Sequence, residues 1–165
     1  MALPSTETKT NLRSVPKNEN GDTFEQIVPI EDVPGALPPK HKMPRLVMMD
    51  TSDLYIDRTY QRDRGLESER KIRSMIAQWD WSKFTPPFVY LDNKGRHIVM
   101  DGQHTSIAVA SHPILKGKIP VFVVDTIKSV KEAAQCFVGR NLDRIRVNAL
   151  QIFKAALAAE GAAAG

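Results

Sequence analysis

The sequence predicts an α/β fold of the α+β kind, a small mixed sheet with helices packed on it. Three observations predict this. Short apolar runs bounded by turn residues alternate with segments of helical period. The run Val99-Met100-Asp101-Gly102-Gln103-His104-Thr105 passes from strand through a tight turn into a helix. The single cysteine, Cys136, excludes an internal disulfide and any Cys-rich zinc site, so packing must hold the chain together.

The first 42 residues are rich in Pro, Thr, Ser, Asn and Lys and end on Pro34, Pro38 and Pro39. Such a segment buries too little apolar area to offset its ordering entropy. Residues 1–42 are therefore expected to form a flexible arm, with Gln26-Ile27-Val28-Pro29-Ile30 as its one apolar patch. Residues 43–160 are expected to form the domain, and 161–165 a flexible tail.

Within the domain, Leu46–Met49 reads as a strand between Pro44 and Asp50. Asp53–Tyr60 reads as a connection. Ser68–Trp79 has helical phase, with Ile72, Met75, Ile76 and Trp79 on one face. Phe88–Leu91 and His97–Met100 are paired strands around Asp92-Asn93-Lys94-Gly95, which has hairpin chemistry. Thr105–Ser111 is a helix stopped by His112-Pro113. Ile119–Val124 is a strand. Ser129 caps a helix over Val130–Arg140, with Glu132 completing a capping box. Asn148–Glu160 is a last, alanine-rich helix.

The turn at Gly102 carries the chemistry. Gly102 suits positive φ or close approach by a ligand. The amides that follow open a helix, so they lack intrahelical partners and carry the positive end of its dipole. That combination attracts phosphate. Gln103, His104, Thr105 and Ser106 add side-chain donors. The competing reading is an ordinary helix start, with Asp101 as its cap.

These residues resemble the ParB/sulfiredoxin superfamily. Asp101-Gly102-Gln103-His104 is similar to the DGQHR turn of ParB-like domains from phages and plasmids, and Gly102–Ala108 to the ParB pattern Gly-Glu-Arg-Arg-x-x-Ala. Tyr60-Gln61-Arg62 resembles an upstream motif of the same proteins. Arg140-Asn141-Leu142-Asp143-Arg144 resembles the ParB box Glu-Asn-x-x-Arg. The resemblance spans about residues 45–158 and implies a site for a nucleoside triphosphate, CTP or ATP, with Mg2+. It places phosphate contacts at Arg62, Gly102, Gln103, His104, Thr105, Arg140, Asn141 and Arg144. Asp101 is the candidate magnesium carboxylate, and Asp101 with His104 the candidate catalytic pair.

Departures from the pattern limit the chemistry. Gln103 stands where sulfiredoxins carry their catalytic cysteine, so sulfinic-acid reduction by that thiol is excluded. Thr105 replaces an arginine that would clamp phosphate. Arg140 replaces an acidic residue that would hold magnesium. Hydrolysis is therefore expected to be weak or absent.

Charge adds a second theme. The net charge is +4 and the pI about 9.3. Arg58, Arg62, Arg64, Arg70, Lys71 and Arg73 form a basic stretch, of which Arg70 and Arg73 are candidates for DNA phosphates. The competing reading is a solvated helix face balanced by Glu67 and Glu69. His97 and His104 lack a carboxylate at ligand spacing and do not suggest zinc. Cys136 reads as a small buried hydrophobe.

The leading expectation is a nucleotide-binding ParB-like domain of a phage, plasmid or other mobile element, acting in DNA-linked work such as partition or defence and counter-defence. The alternatives are a metal-dependent nuclease or NTPase and a non-catalytic interaction module on the same fold. Expected partners are a nucleotide and no membrane. The reading also admits non-specific DNA, a protein partner met by the arm, and a homodimer. The lone cysteine suits a cytoplasmic setting.

Overall fold

Short strands of Val, Ile, Leu, Met and Phe pair into a five-stranded mixed sheet, and helices cover its two faces. The computed structural model describes residues 17, 19, 21, 23–58, 65–143 and 148–163. The chain divides into two units, Met1–Pro38 and Pro39–Gly165. In the first, the described residues form no helix or strand and are exposed; Ile27 and Ile30 lie open to solvent.

The second unit runs β1 (Arg45–Asp50), β2 (Leu54–Ile56), α1 (Leu66–Ala77), β3 (Phe88–Leu91), β4 (His97–Asp101), α2 (Gln103–Ser111), β5 (Lys118–Val123), α3 (Val130–Leu142) and α4 (Ala149–Ala163). Short 3-10 turns occupy Thr51–Asp53 and Trp81–Lys83. Strand order is β1-β5-β3-β4-β2. β1 pairs antiparallel with β5, and β3 with β4, while β3 with β5 and β2 with β4 are parallel.

Alternation along the strands sorts the core into two layers. Val89, Val99, Ile119, Val121 and Val123 pack with Val109 of α2, and Trp79 and Phe84 close over this layer. Tyr90, Ile98 and Met100 face the other way and pack with Val124, Ile127 and Ala133 of α3, with Phe88 and Cys136 at the margin. α1 lies against α2.

Local signals hold closely. Asp92 Oδ1 accepts the amides of Lys94 (3.0 Å) and Arg96 (2.8 Å), which fixes the hairpin. The Glu132 amide donates to Ser129 Oγ at 3.2 Å, and that hydroxyl donates to Glu132 Oε1 at 3.1 Å, so Ser129 caps α3 and Glu132 holds the hydroxyl in place instead of the Ser129 backbone N–H that a full capping box would engage.

Several boundaries differ from expectation: α1 begins two residues earlier, at Leu66, and α2 opens at Gln103 and not at Thr105. Leu54–Ile56 is a strand, not a connection: three residues are too few to show a period, but β4 supplies their partners. α1 ends at Ala77, two residues before Trp79. Asp80 instead caps the next 3-10 turn, accepting the Ser82 amide at 2.9 Å. Trp79 still reaches the core from the loop, edge-on to Trp81 with centroids 5.2 Å apart. α3 continues to Leu142, which brings Asn141 into the helix. α4 continues through Gly161 to Ala163, past the expected tail boundary at 160. Flanking alanines have the highest helix propensity and carry the helix across one glycine.

Candidate functional site: the glycine turn between β4 and α2

Gly102 is the N-cap of α2, at φ 99° and ψ 28°, in the left-handed region. A second constraint comes from across the sheet. A Cβ on Gly102 would stand 2.9 Å from both Cα and Cβ of Pro87, closer than real Cβ atoms approach. Pro87 is buried, so it cannot yield cheaply. Backbone conformation and packing therefore both demand glycine here.

Gly102 has no side chain to cap the helix. The amides of Gln103, His104 and Thr105 thus begin α2 without intrahelical partners, and no cap hydrogen bond replaces them. The first closed turn starts one residue later, where the Ser106 amide donates to the Gly102 carbonyl at 3.0 Å. Ser106 Oγ donates to the same carbonyl at 2.8 Å, so this side chain is spent on the helix and not on a ligand.

Asp101 does not cap the helix. Its Oδ2 accepts Arg140 Nε at 3.0 Å, and both side chains are less than a third exposed. The Arg140 guanidinium also lies over the Phe88 ring, 3.7 Å from its centroid. Phe88 pairs with Asp101 across the sheet at a register shift between Phe88 and Val89. One arginine thus ties the C-terminal part of α3 to the end of β4 and the start of β3. This guanidinium is already committed to a carboxylate and a ring.

Thr105 opens onto a cleft of about 320 Å³ between α1 and the loop that follows it. Lys71, Lys83, Trp79 and Phe84 contribute to its walls. Trp79 and Phe84 are 6.0 Å apart by ring centroid. Burial lowers the pKa of His104, and the Lys71 ammonium lowers it further. His104 is therefore neutral at pH 7, with one ring nitrogen able to donate and the other to accept.

The expected site residues fall into three groups. Gly102, Gln103, His104 and Thr105 share the N-terminus of α2, and Asp101 and Arg140 meet directly beside it. Asn141 follows Arg140 on α3 but turns its amide back, donating to the Phe137 carbonyl at 2.7 Å, and is exposed. Arg62 and Arg144 lie outside the described residues, as do Tyr60, Gln61 and Arg64. Arg70 and Arg73 are exposed on α1, and Arg73 is paired with Glu69 at 2.7 Å.

Lys83, Phe84 and Pro87 were not singled out for the site by sequence reasoning, and Lys71 was marked only as a member of the basic stretch. The spacing Trp79-Asp80-Trp81 and Phe84 just before Pro86-Pro87 is the signal that marks this loop. Cys136 packs at the edge of the second core layer, and burial raises its thiol pKa, so it is a poor nucleophile.

A magnesium ion does not fit the side chains present. Asp101 is neutralised by Arg140, and among the described residues no three His, Cys, Asp or Glu side chains converge to hold a metal.

Fold and turn together define an α/β domain of ParB-like fold, with a strand–glycine–helix turn as its candidate site. No protein-family model matches the sequence, and no curated protein matches it. Among solved structures, the chain is similar to the C-terminally truncated chromosome-partitioning protein ParB from Caulobacter crescentus, complexed with CTP-gamma-S. The identity is 16% and the TM-score 0.50, over 65% of this chain and 58% of that one. At that identity the likeness is one of fold. Among the described residues, no helix is long and apolar enough to cross a membrane.

Proposed function

We propose that this chain is a nucleotide-binding domain. In this reading the amides of Gln103, His104 and Thr105 receive phosphate oxygens, and the nucleoside lies in the cleft beside Thr105. The observation that carries the reading is the Gly102 turn. A left-handed glycine pressed against Pro87 leaves three helix amides uncapped beside Lys71. Backbone N–H groups, helix dipole and ammonium groups favour the same ligand charge. The aromatic wall of Trp79 and Phe84 suits a base. The ParB of similar fold is complexed with a CTP analogue, which makes CTP the first nucleotide to test.

The finer reading follows from the DGQHR-like turn. We place the protein with the ParB-like proteins of phages, plasmids and other mobile elements, working beside DNA in a reducing cytoplasm. Any DNA contact is electrostatic and independent of sequence, through exposed arginines such as Arg70. Hydrolysis is weak or absent. A hydrolase would need Asp101 free to hold a metal, and the Asp101–Arg140 pair favours a binding module over a nuclease or NTPase.

The test is a titration of the full chain with CTP, ATP, GTP and UTP, with and without magnesium, read by tryptophan fluorescence and calorimetry. Saturable binding of at least one nucleotide, lost in Lys71→Ala/Lys83→Ala, is the expected result. No binding of any nucleotide at millimolar concentration sinks the reading.

A further inference from the structure

We propose that the open edge of β1 binds β1 of a second copy of this chain, joining two sheets into one across a two-fold axis at Val47. β1 is the outermost strand on its side of the sheet, and among the described residues only β5 pairs with it. The phase of that pairing decides which backbone groups are free. The Thr51 amide donates to the Gly117 carbonyl at 2.8 Å, and in the same register Met49, Val47 and Arg45 turn their amides and carbonyls toward β5. Leu46 and Met48 therefore turn theirs outward. β5 shows the same phase from its own side. Opposite Leu46, the Phe122 amide donates away from β1, to the Pro87 carbonyl at 2.8 Å. Opposite Met48 stands Pro120, which has no N–H to give.

An unpaired edge of this kind is a template for another strand. The side chains suit the same role. Leu46 and Met48 lie two positions apart, on one face, and are 63% and 64% exposed. Phe122 and Pro120 beside them are partly exposed, so the apolar strip continues onto β5. Leu46–Met49 contains no charge, proline or glycine to blunt the edge.

The charges decide the occupant. Those at the ends of β1 are matched within the chain, Arg45 by Asp125 at 2.6 Å and Asp50 by Lys118 at 3.0 Å. The edge thus calls for an extended, uncharged, apolar strand, and β1 is itself such a strand. Antiparallel pairing with Val47 opposite its own copy sets Leu46 against Met48 of the partner subunit, and Met48 against Leu46 of the partner subunit. Both pairs exchange their outward amides and carbonyls, and the four exposed side chains meet on one face. Arg45 and its copy then lie four positions apart, roughly 14 Å along the strand, so like charges do not oppose each other. About 20 Å of strand edge buries less than the ~1,200 Å² of a standard interface, so the dimer is weak and reversible, with Kd on the order of 0.1 mM.

The experiment is sedimentation equilibrium of the full chain between about 10 μM and 1 mM, with amide hydrogen exchange read by NMR at both ends of that range. A dimer that grows with concentration is expected, with exchange slowing at the Leu46 and Met48 amides. The Val47 and Met49 amides, held by β5, should be protected throughout. Met48→Lys puts a charge on the exposed face and leaves the β5 bonds alone. It should weaken the dimer roughly tenfold or more, because an ammonium then faces Leu46 of the partner subunit. Should Met48→Lys fold poorly, Leu46→Pro removes one outward amide and gives the same comparison. Phe153→Lys, on α4 where apolar side chains are also exposed, should leave the dimer unchanged. A monomer across the whole range overturns the proposal. So does equal protection of Leu46 and Met48 at both concentrations, a dimer that survives both β1 variants, or a dimer lost in Phe153→Lys.

Discussion

Replacing Arg140 by Met would test whether the glycine turn is held by the Asp101–Arg140 pair. Met keeps much of the length and loses the charge. The variant leaves Asp101, less than a quarter exposed, without its cation. A hydrogen bond to a charged group contributes about 1.5–3 kcal/mol, and a partly buried cation–π contact about 0.5–2 kcal/mol. Partial solvation of Asp101 and the retained apolar stem of Met put the sum near its lower half, about 2–3 kcal/mol. For a domain of this size that lowers Tm by roughly 8–12 °C. Asp101→Asn keeps an acceptor and removes the charge, so it should cost less, about 1 kcal/mol. Thermal and urea unfolding of both single variants and the double variant closes a cycle. The expected coupling is about 1 kcal/mol or more, since the groups touch. A Tm drop under about 2 °C for Arg140→Met, with coupling inside about 0.3 kcal/mol, would refute the assignment and return Arg140 to the list of free phosphate ligands.

Gly102→Ala should cost about 2–4 kcal/mol in urea unfolding, from left-handed strain plus overpacking against Pro87; a neutral substitution would show that Pro87 yields. Ser129→Ala removes the side-chain cap of α3 and should cost about 1 kcal/mol, with Ser129→Asp recovering most of it if capping is the cause. His104 titrates below the ordinary histidine value, so its contribution to stability is present above about pH 6.5 and falls as pH drops through its folded pKa, because the unfolded chain takes up a proton that the folded chain refuses. His104→Gln should therefore flatten the loss of stability between pH 7 and 5, and an unchanged slope would mean that His104 is not desolvated.

Short-range chemistry was legible in the sequence. Asp92 with Gly95, and Ser129 with Glu132, announce a hairpin and a helix start because each signal closes within four residues. The left-handed Gly102 was legible for the same reason. What the sequence withheld is contact between distant residues. Pro87 presses on Gly102 from the loop just before β3, and Arg140 reaches Asp101 across 39 positions. The resemblance marked Arg140 as a departure, but only packing shows what the departure does. The cleft by Thr105 has a similar origin. Its lysines sit 12 residues apart in the chain, and α1 and its following loop bring them to one opening.

Arg140 therefore changes the electrostatic logic of the turn more than it weakens it. An acidic residue at this position beside Asp101 would create a two-carboxylate mouth that repels phosphate unless a divalent cation intervenes. With arginine there, the carboxylate is neutralised internally. The amides of α2 and the ammonium of Lys71 then face an anion with Asp101 neutralised; the cleft wall keeps one carboxylate, Asp80, which is engaged by the Ser82 amide and faced by Lys71 and Lys83 on the same wall. On this argument nucleotide binding should not need magnesium. Removing it with a chelator should change Kd by less than about threefold, under 1 kcal/mol, where a metal-bridged site would lose a hundredfold or more. Arg140→Glu should reverse the dependence: weak binding without the ion and partial recovery with it. Calorimetry at fixed ionic strength, with free and magnesium-bound nucleotide compared in both proteins, reads this directly. Wild-type binding that collapses on chelation would show that the metal is held by groups other than Asp101, and the charge-exchange argument would fail.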